Sequence, residues 1–561
     1  MSSPAYEFSS CQATLGGIQN GTLTVLGINS TNLATSGWIW DGPIALLNKN
    51  FPREDITAIT YKGCVELCGD YTELNTPKTA LGIITTWIFP LAILFSLPFE
   101  SLHLRKLHGT LAAVSNWLGS PQTAMTATIF NFDQIRKCHR RAERGVREDT
   151  YYVLSCFNQF ELPMRGGSLD DEFAATLVYG LFRPLRDGAA NRRPGNADIE
   201  YTRQLLAALA AQLRLLRRRG VVPTMLSLGT FLVASVISIV LAYGEIVEGI
   251  DVTSMVLGLL YSWLPMLVIC TIIDRNPVSS ERTAELMSRW LYNVNVVRTW
   301  RTKGVANMPA PGPDGWWDNE VPPHFRIEGF IGQGRRMQYC GLVHAMLSCV
   351  KEPHRIDDAA GLRRYDELAR DVVTRLDGRR PGLWYSSALR AMFLVWVPIL
   401  MAFVVAFTSP TVGLGCWSGS FLVFGGLGSF SWVVSVCKKD CGPKLRGLCH
   451  AVNMLSVVFV VFITGLVLTG GMSNCYCSTT WFAYPLSGGY MTFESFEAVR
   501  AHYDVTVPWA LAASVGFGLA LVVFLVEIFW WVKCKHLWKT QERERPIPLD
   551  TPVRANMDWL Q

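Results

Sequence analysis

Seven long apolar runs interrupt the chain, at 79–99, 222–243, 253–273, 387–407, 416–436, 450–471 and 508–532, each nearly free of Asp, Glu, Lys and Arg. A helix needs about 20 mainly apolar residues to cross the hydrocarbon core of a bilayer. Buried soluble helices imitate one such run; seven in one chain are hard to explain that way. The pattern predicts an all-α membrane protein with about seven transmembrane helices. Pro90 and Pro265 fall inside two of the runs, where membrane helices tolerate proline better than soluble ones do.

Two long polar segments, 100–221 and 274–386, follow a different rhythm. Leu205, Leu206, Leu209, Leu213 and Leu216 form an apolar stripe at helical spacing. Leu286, Trp290, Leu291, Val294 and Val297 form a second, and Leu362, Tyr365, Leu368, Val372 and Leu376 a third. These stripes predict amphipathic helices packed into a small helical unit with the membrane as one wall. Helices lying singly on the inner leaflet, with Arg facing anionic headgroups, are the alternative. The turn-rich stretch ANMPAPGPDGWWDNEVPPH, at 306–324, reads as a linker.

Composition supports the membrane reading. The chain is 50% hydrophobic and 17% charged, against about 25% charged in soluble domains. The net charge of +6 is modest, so its placement matters more than its size. Lys and Arg mark cytoplasmic flanks. Arg105 and Lys106 follow the first run, Arg217, Arg218 and Arg219 precede the second, and Lys533 and Lys535 follow the last. Lys438, Lys439, Lys444 and Arg446 fill the connection between the fifth and sixth, whereas Glu245, Glu248 and Asp251 mark the turn after the second. The flanks agree on an N-terminus outside and a C-terminus inside. The polar segments become two long cytoplasmic loops, 1–78 and 472–507 become extracytoplasmic, and 533–561 becomes a cytoplasmic tail. No basic segment followed by a long apolar one opens the chain, so the first span is expected to act as the insertion signal. The expected location is the plasma membrane or another membrane of the secretory pathway.

This topology sorts the chemistry by side. The sequons at Asn20 and Asn29 both fall outside and are candidate glycosylation sites. So do six cysteines, Cys11, Cys64, Cys68, Cys416, Cys475 and Cys477, an even number that suits three disulfides in an oxidising compartment. Cys475 and Cys477 are too close in sequence to bridge each other comfortably. Cys416, in the turn PTVGLGCWSGS, has one of that pair or an N-terminal cysteine as its candidate partner, or stays a free interfacial thiol beside Trp417. Inside the spans, Glu527 and Asn453 are the candidate polar sites, since polar groups at membrane depth mark pathways or helix contacts. Ala512, Gly516 and Ala520, and Gly425 with Ser429, recur at four-residue spacing and predict close helix approach.

Catalytic signatures are missing: the chain has no HExxH, GxSxG or P-loop motif. Cys340, His344, Cys349 and His354 are soft ligands in sequence, but Cys340 and Cys349 fall on different faces of a continuous helix, so a zinc site is not expected. No cofactor or metal is expected.

Four stretches carry a resemblance: WLGSPQTAMTATIFNFDQIRKCHRRA, YYVLSCFNQFELP, SWLPMLVICTIIDRNPVSSERTAELMSRWLYNV and SPTVGLGCWSGS. They resemble a family of uncharacterised multi-spanning membrane proteins of filamentous fungi. The resemblance runs from about residue 60 into the last span. It implies an integral membrane location and no particular activity. Trp417 stands where that family often has Arg. A channel or transporter is the leading expectation, with a non-catalytic scaffold or sensor as the other. A seven-span receptor fits poorly, because the loop after the first span is far too long. The expected partners are the bilayer and anionic inner-leaflet lipids; no nucleic-acid partner is expected.

Overall fold

The computed structural model describes residues 8–44, 46–47, 49, 57–69, 84, 115–142, 146–160, 162, 168–185, 197–216, 229–230, 233, 253–265, 267, 280–303, 321–327, 342–350, 361–377, 381–408, 413–438, 442–479, 482–483, 489–492, 504 and 506–533. They are mostly helical and form three main cores, with a small fourth cluster at Phe130, Trp384 and Ala388. The predicted spans 79–99 and 222–243 fall almost wholly outside these residues, as does the acidic turn at Glu245, Glu248 and Asp251.

The first part of the chain builds a cap from α1 (Phe8–Gln19), β1 (Ala58–Thr60) and α2 (Tyr61–Cys68). The Thr60 hydroxyl accepts from the Gly63 amide and starts α2. Four helices come next: α3 (Pro121–Arg141), α4 (Val146–Phe157), α5 (Ser168–Phe182) and α6 (Ala197–Leu215). After them come α7 (Thr253–Tyr261), α8 (Ser280–Lys303), α9 (Leu342–Cys349) and α10 (Gly361–Asp377). The long apolar helices are α11 (Gly382–Thr408), α12 (Cys416–Cys437) and α13 (Pro443–Thr469); a short α14 (Cys475–Ser478) precedes the last, α15 (Thr506–Lys533). Proline at the first position of α13 is preorganised for a helix, and Gly470 at φ 77° closes its other end.

Four of these helices are long and apolar enough to cross a membrane: Gly382–Thr408, Cys416–Cys437, Pro443–Thr469 and Val507–Trp530. Their outward faces are apolar too. Phe393, Val458, Val461, Phe462, Val522 and Phe529 are all exposed on this surface. Such a belt is unfavourable in water and natural in hydrocarbon. Of the third predicted span, 253–273, residues 253–265 and 267 are described; α7 ends at Tyr261 and a turn follows at 262–263. Met255, Leu259, Trp263 and Leu264 are fully buried at the centre of the first core.

Small residues set how these helices meet. A Cβ at Gly425 would press on the Trp396 ring at 2.9 Å, and one at Gly516 would overlap Leu259. The predicted small-residue faces are therefore contact faces.

The second core holds α4, α5, α6, α8, α9 and α10, with the last half of α3. The three predicted stripes meet there: Leu206, Leu209, Trp290, Leu291, Val294, Tyr365 and Val372 are buried together. The third core lies in the cap, around Trp38, Ile59, Cys64 and Met491.

Disulfides and short strand pairs tie the cap to one end of the bundle. Cys11 bridges Cys68, Cys64 bridges Cys475, and Cys416 bridges Cys477, with Cα separations of 5.5, 5.7 and 5.0 Å. Strand β1 pairs antiparallel with Tyr490–Thr492, and Gly413–Leu414 pairs with Phe482–Ala483. The N-terminal segment, the turn before α12 and the connection after α13 thus converge at the same end.

Candidate functional site

The helix α3 is where the structure departs most from the sequence reading. The segment 100–221 was expected as a single cytoplasmic loop, yet it does not belong to one unit. Residues 115–119 are helical, the helix breaks at Ser120, and α3 restarts at Pro121. Trp117, Ala124, Met125 and Ile129 belong to the core of the long apolar helices. Only farther along, at Ile135 and Cys138, does α3 enter the second core. The cause is composition: residues 107–132 contain no Asp, Glu, Lys or Arg. This stretch can enter an apolar bundle provided its many amides and hydroxyls find partners.

They find them on α12 and α13. Ser120 Oγ donates to the Gly428 carbonyl at 2.7 Å. Gln122 Nε2 donates to Ser429 Oγ at 3.3 Å and to the Gly425 carbonyl at 3.5 Å. Trp396 Nε1 donates to the same Ser429 hydroxyl at 2.9 Å, and Trp432 Nε1 donates to Thr126 Oγ1 at 3.2 Å. Ser431 Oγ donates to Asn453 Oδ1 at 2.6 Å, and Asn453 Nδ2 donates to Asn116 Oδ1 at 3.3 Å. Gly119 is pressed against the Asn453 backbone so closely that any Cβ would overlap its carbonyl. Glycine is required here for close approach.

The break therefore sits at the depth of Asn453, ten residues into α13 and well inside the bundle. Two amides of the first turn of α3, those of Thr123 and Ala124, turn back onto the Ser120 carbonyl. Gln122 Oε1, Ser115 Oγ and Ser456 Oγ are buried and have no hydrogen-bond partner among the described residues. Such atoms are uncommon in folded proteins and call for an explanation.

At its other end α3 becomes charged. Asp133, buried, pairs with Arg390 of α11 at 2.6 Å and approaches Arg136 at 3.8 Å. Arg136 and Arg140 lie over the Trp530 ring at 5.1 and 5.7 Å, and Lys533 lies 5.3 Å from it. This cationic collar fixes the end of α15 against α3. Inside the second core, Asn131 Oδ1 accepts from Asn158 at 3.0 Å, and Gln134 Oε1 accepts from the His344 amide at 2.9 Å. Burial, with Lys137 and Arg375 nearby, holds His344 below the usual imidazole range.

A second polar cluster lies in the same core. Arg183 is almost fully buried and forms a two-pronged pair with Asp198 at 2.8 and 3.2 Å. Tyr179 also donates to Asp198, at 2.5 Å, and Arg301 completes the cluster. Burial pushes the Asp198 carboxyl up, but Arg183, Tyr179 and Arg301 outweigh it, so it titrates below the usual carboxylate range. Burial and the Asp198 charge raise Tyr179 well above an ordinary phenol. Every member faces another, which makes this cluster a lock between α5, α6 and α8.

The structure brings Asn453 into the polar seam. Glu527 lies on α15, with its side chain outside the described residues. Asn20 is exposed; Asn29 is half-buried, with Oδ1 accepting the Thr31 hydroxyl at 2.7 Å. The sulfurs of Cys64, Cys68 and Cys475 lie within 4.8 Å of one another. They are disulfide sulfurs, whereas zinc needs thiolates. Cys340 and His354 fall outside the described residues, and Cys349 and His344 show no shared ligand geometry. Sequence reasoning missed Asn116, Ser120 and Gln122, because a search for apolar windows passes over a charge-free stretch rich in Thr, Ser and Asn.

No family model, no curated protein and no solved structure matches the chain.

Proposed function

We propose that the chain is a multi-pass membrane protein with its stapled cap outside and its basic helical unit in the cytoplasm, and that its bundle passes a small ion or polar solute along the seam at the broken helix. The carrying observation is the break at Gly119–Ser120–Pro121 inside an apolar bundle. Broken backbone at that depth is tolerated where it is buried in protein or lines a polar path. Arg105 and Lys106 before the charge-free stretch, and Arg136 and Lys137 after it, are both basic. Flanks of the same sign suit a re-entrant segment that enters and leaves from the cytoplasmic side. Seven apolar spans, together with membership of the fungal membrane family, belong to the same proposal.

Flux into liposomes containing the purified full-length protein tests it. Cation or solute entry above that of empty vesicles, reduced by Asn453→Leu without loss of folded protein, is the expected result. Vesicles as tight as protein-free controls across ions and small neutral solutes would defeat the transport reading.

A second reading, a sensor or scaffold, is favoured by α3 itself. One helix runs from the bundle seam into the second core, so movement at either end is felt at the other. Specific retention of a cytoplasmic partner by the helical unit, with vesicles that stay tight, would favour this reading.

A further inference from the structure

Basic side chains gather where the last apolar helix ends. Arg136 and Arg140, four apart on one face of α3, lie 5.1 and 5.7 Å from the centre of the Trp530 ring, and Lys533 lies 5.3 Å from it. These three cations therefore sit within about a Debye length, ~10 Å, of one another. The carboxylate described beside them is Asp133, only 5% exposed; its Oδ2 holds Arg390 at 2.6 Å and its Oδ1 stands 3.8 Å from Arg136. One carboxylate shared by two arginines leaves this collar positive. Arg140 and Lys533 are exposed, and Arg136 is half-buried. The depth is set by α15. Trp530 is the last residue of its apolar span. Val522, Leu525, Val526 and Phe529, on the approach to it, are exposed. Bare apolar helix gives way to an aromatic ring and then to cations, which is the order of acyl chain, interface and headgroup in a leaflet.

We propose that this collar holds the phosphate of an anionic glycerophospholipid, with the acyl chains laid along the exposed face of α15. It rests on the reading of this bundle as a membrane core, though not on transport or on the seam. Charge selects an anion. Two guanidinium forks from α3 and an ammonium from α15 supply the planar and point-like donors that phosphate oxygens accept. A zwitterionic headgroup would bring a cation of its own to a site that is already positive. The apolar face beside the collar selects a lipid over free phosphate, because only a lipid covers both at once. Since the collar also fixes α15 against α3, a lipid bound across it joins the two helices more firmly.

Thermal unfolding of the full-length protein in detergent micelles, doped with phosphatidylserine or phosphatidylcholine at constant ionic strength, tests this. The expected result is a saturable rise in the midpoint with phosphatidylserine, absent with phosphatidylcholine and with soluble phosphoserine. Arg136→Gln combined with Arg140→Gln should raise the half-saturating lipid fraction by roughly thirtyfold, and Lys533→Gln by roughly fivefold. Lys62→Gln, in the cap, removes one positive charge elsewhere and should leave it unchanged. If the double variant does not fold, Lys533→Gln, at the exposed end of α15, still decides. Equal midpoints in the two lipids overturn the proposal. So do collar variants that lower the midpoint but keep the wild-type lipid response, as expected of a purely structural collar. A rise with phosphoserine that matches the lipid's overturns the lipid reading in favour of free phosphate. Membrane location is scored separately, by alkaline extraction of membranes from expressing cells. Protein that stays in the pellet yet ignores phosphatidylserine keeps the spans and removes the site; protein washed free removes both.

Discussion

Asn453 holds Ser431 on one side and Asn116 on the other, within the polar seam of the apolar bundle. Replacing it by leucine removes the hydrogen bonds to both Ser431 and Asn116. Asn453→Leu is expected to cost about 1–3 kcal/mol, read as a lower unfolding midpoint. Ser431→Ala should cost less, and the double variant less than the sum, because the two share one hydrogen bond. Asp198 is the corresponding residue of the second core. Its folded pKa lies below its unfolded value of about 3.9. Its contribution is therefore complete above about pH 4 and is lost as pH falls through the folded value. Hydrogen exchange across residues 168–215 should accelerate as pH drops from 5 to 3, beyond the intrinsic pH effect. Asp198→Asn should flatten that dependence and open the segment at neutral pH, because Arg183 is left buried and unbalanced, a loss of about 3–5 kcal/mol.

Among elements, the Cys64–Cys475 bridge joins the cap to the segment after α13, and the Cys416–Cys477 bridge joins that segment to α12. Cys416 begins α12, and Cys477 lies just beyond α13. A bridge here fixes the ends of two adjacent helices. Cys416→Ser should destabilise the protein by about 2–4 kcal/mol, and reductant should shift the wild type toward the variant. Peptide mapping without reductant should find the three pairs Cys11–Cys68, Cys64–Cys475 and Cys416–Cys477. Ready alkylation of Cys416 in folded, unreduced protein would contradict the clamp. The helix α3 has no such staple. Its place in the bundle depends on close approach at Gly119 and on the hydrogen bonds of Ser120 and Gln122.

At the scale of the whole molecule, the cap and the cationic collar occupy opposite ends of the bundle. In the proposed orientation the cap meets the secretory lumen. Expressed in a eukaryotic host, the protein should lose mass on glycosidase treatment. Asn20→Gln combined with Asn29→Gln should remove that shift. A C-terminal tag cleaved by external protease in sealed cells would reverse the orientation.

The long apolar helices were legible because length and hydrophobicity are local properties: runs such as 387–407 and 416–436 fell within a few residues of the helices observed. The stripes of α6, α8 and α10 were legible for the same reason, since a 3.6-residue period marks a buried face wherever its partner lies. Six cysteines could be singled out as one group, but their pairing could not be chosen, because pairing depends on which ends meet after folding. The seam was the least legible. Gln122, Thr126 and Asn116 look like ordinary polar loop residues until Ser429, Trp432 and Asn453, some three hundred positions away, supply their partners. A polar residue enters an apolar core only when distant atoms satisfy it, and that satisfaction is decided by tertiary structure alone.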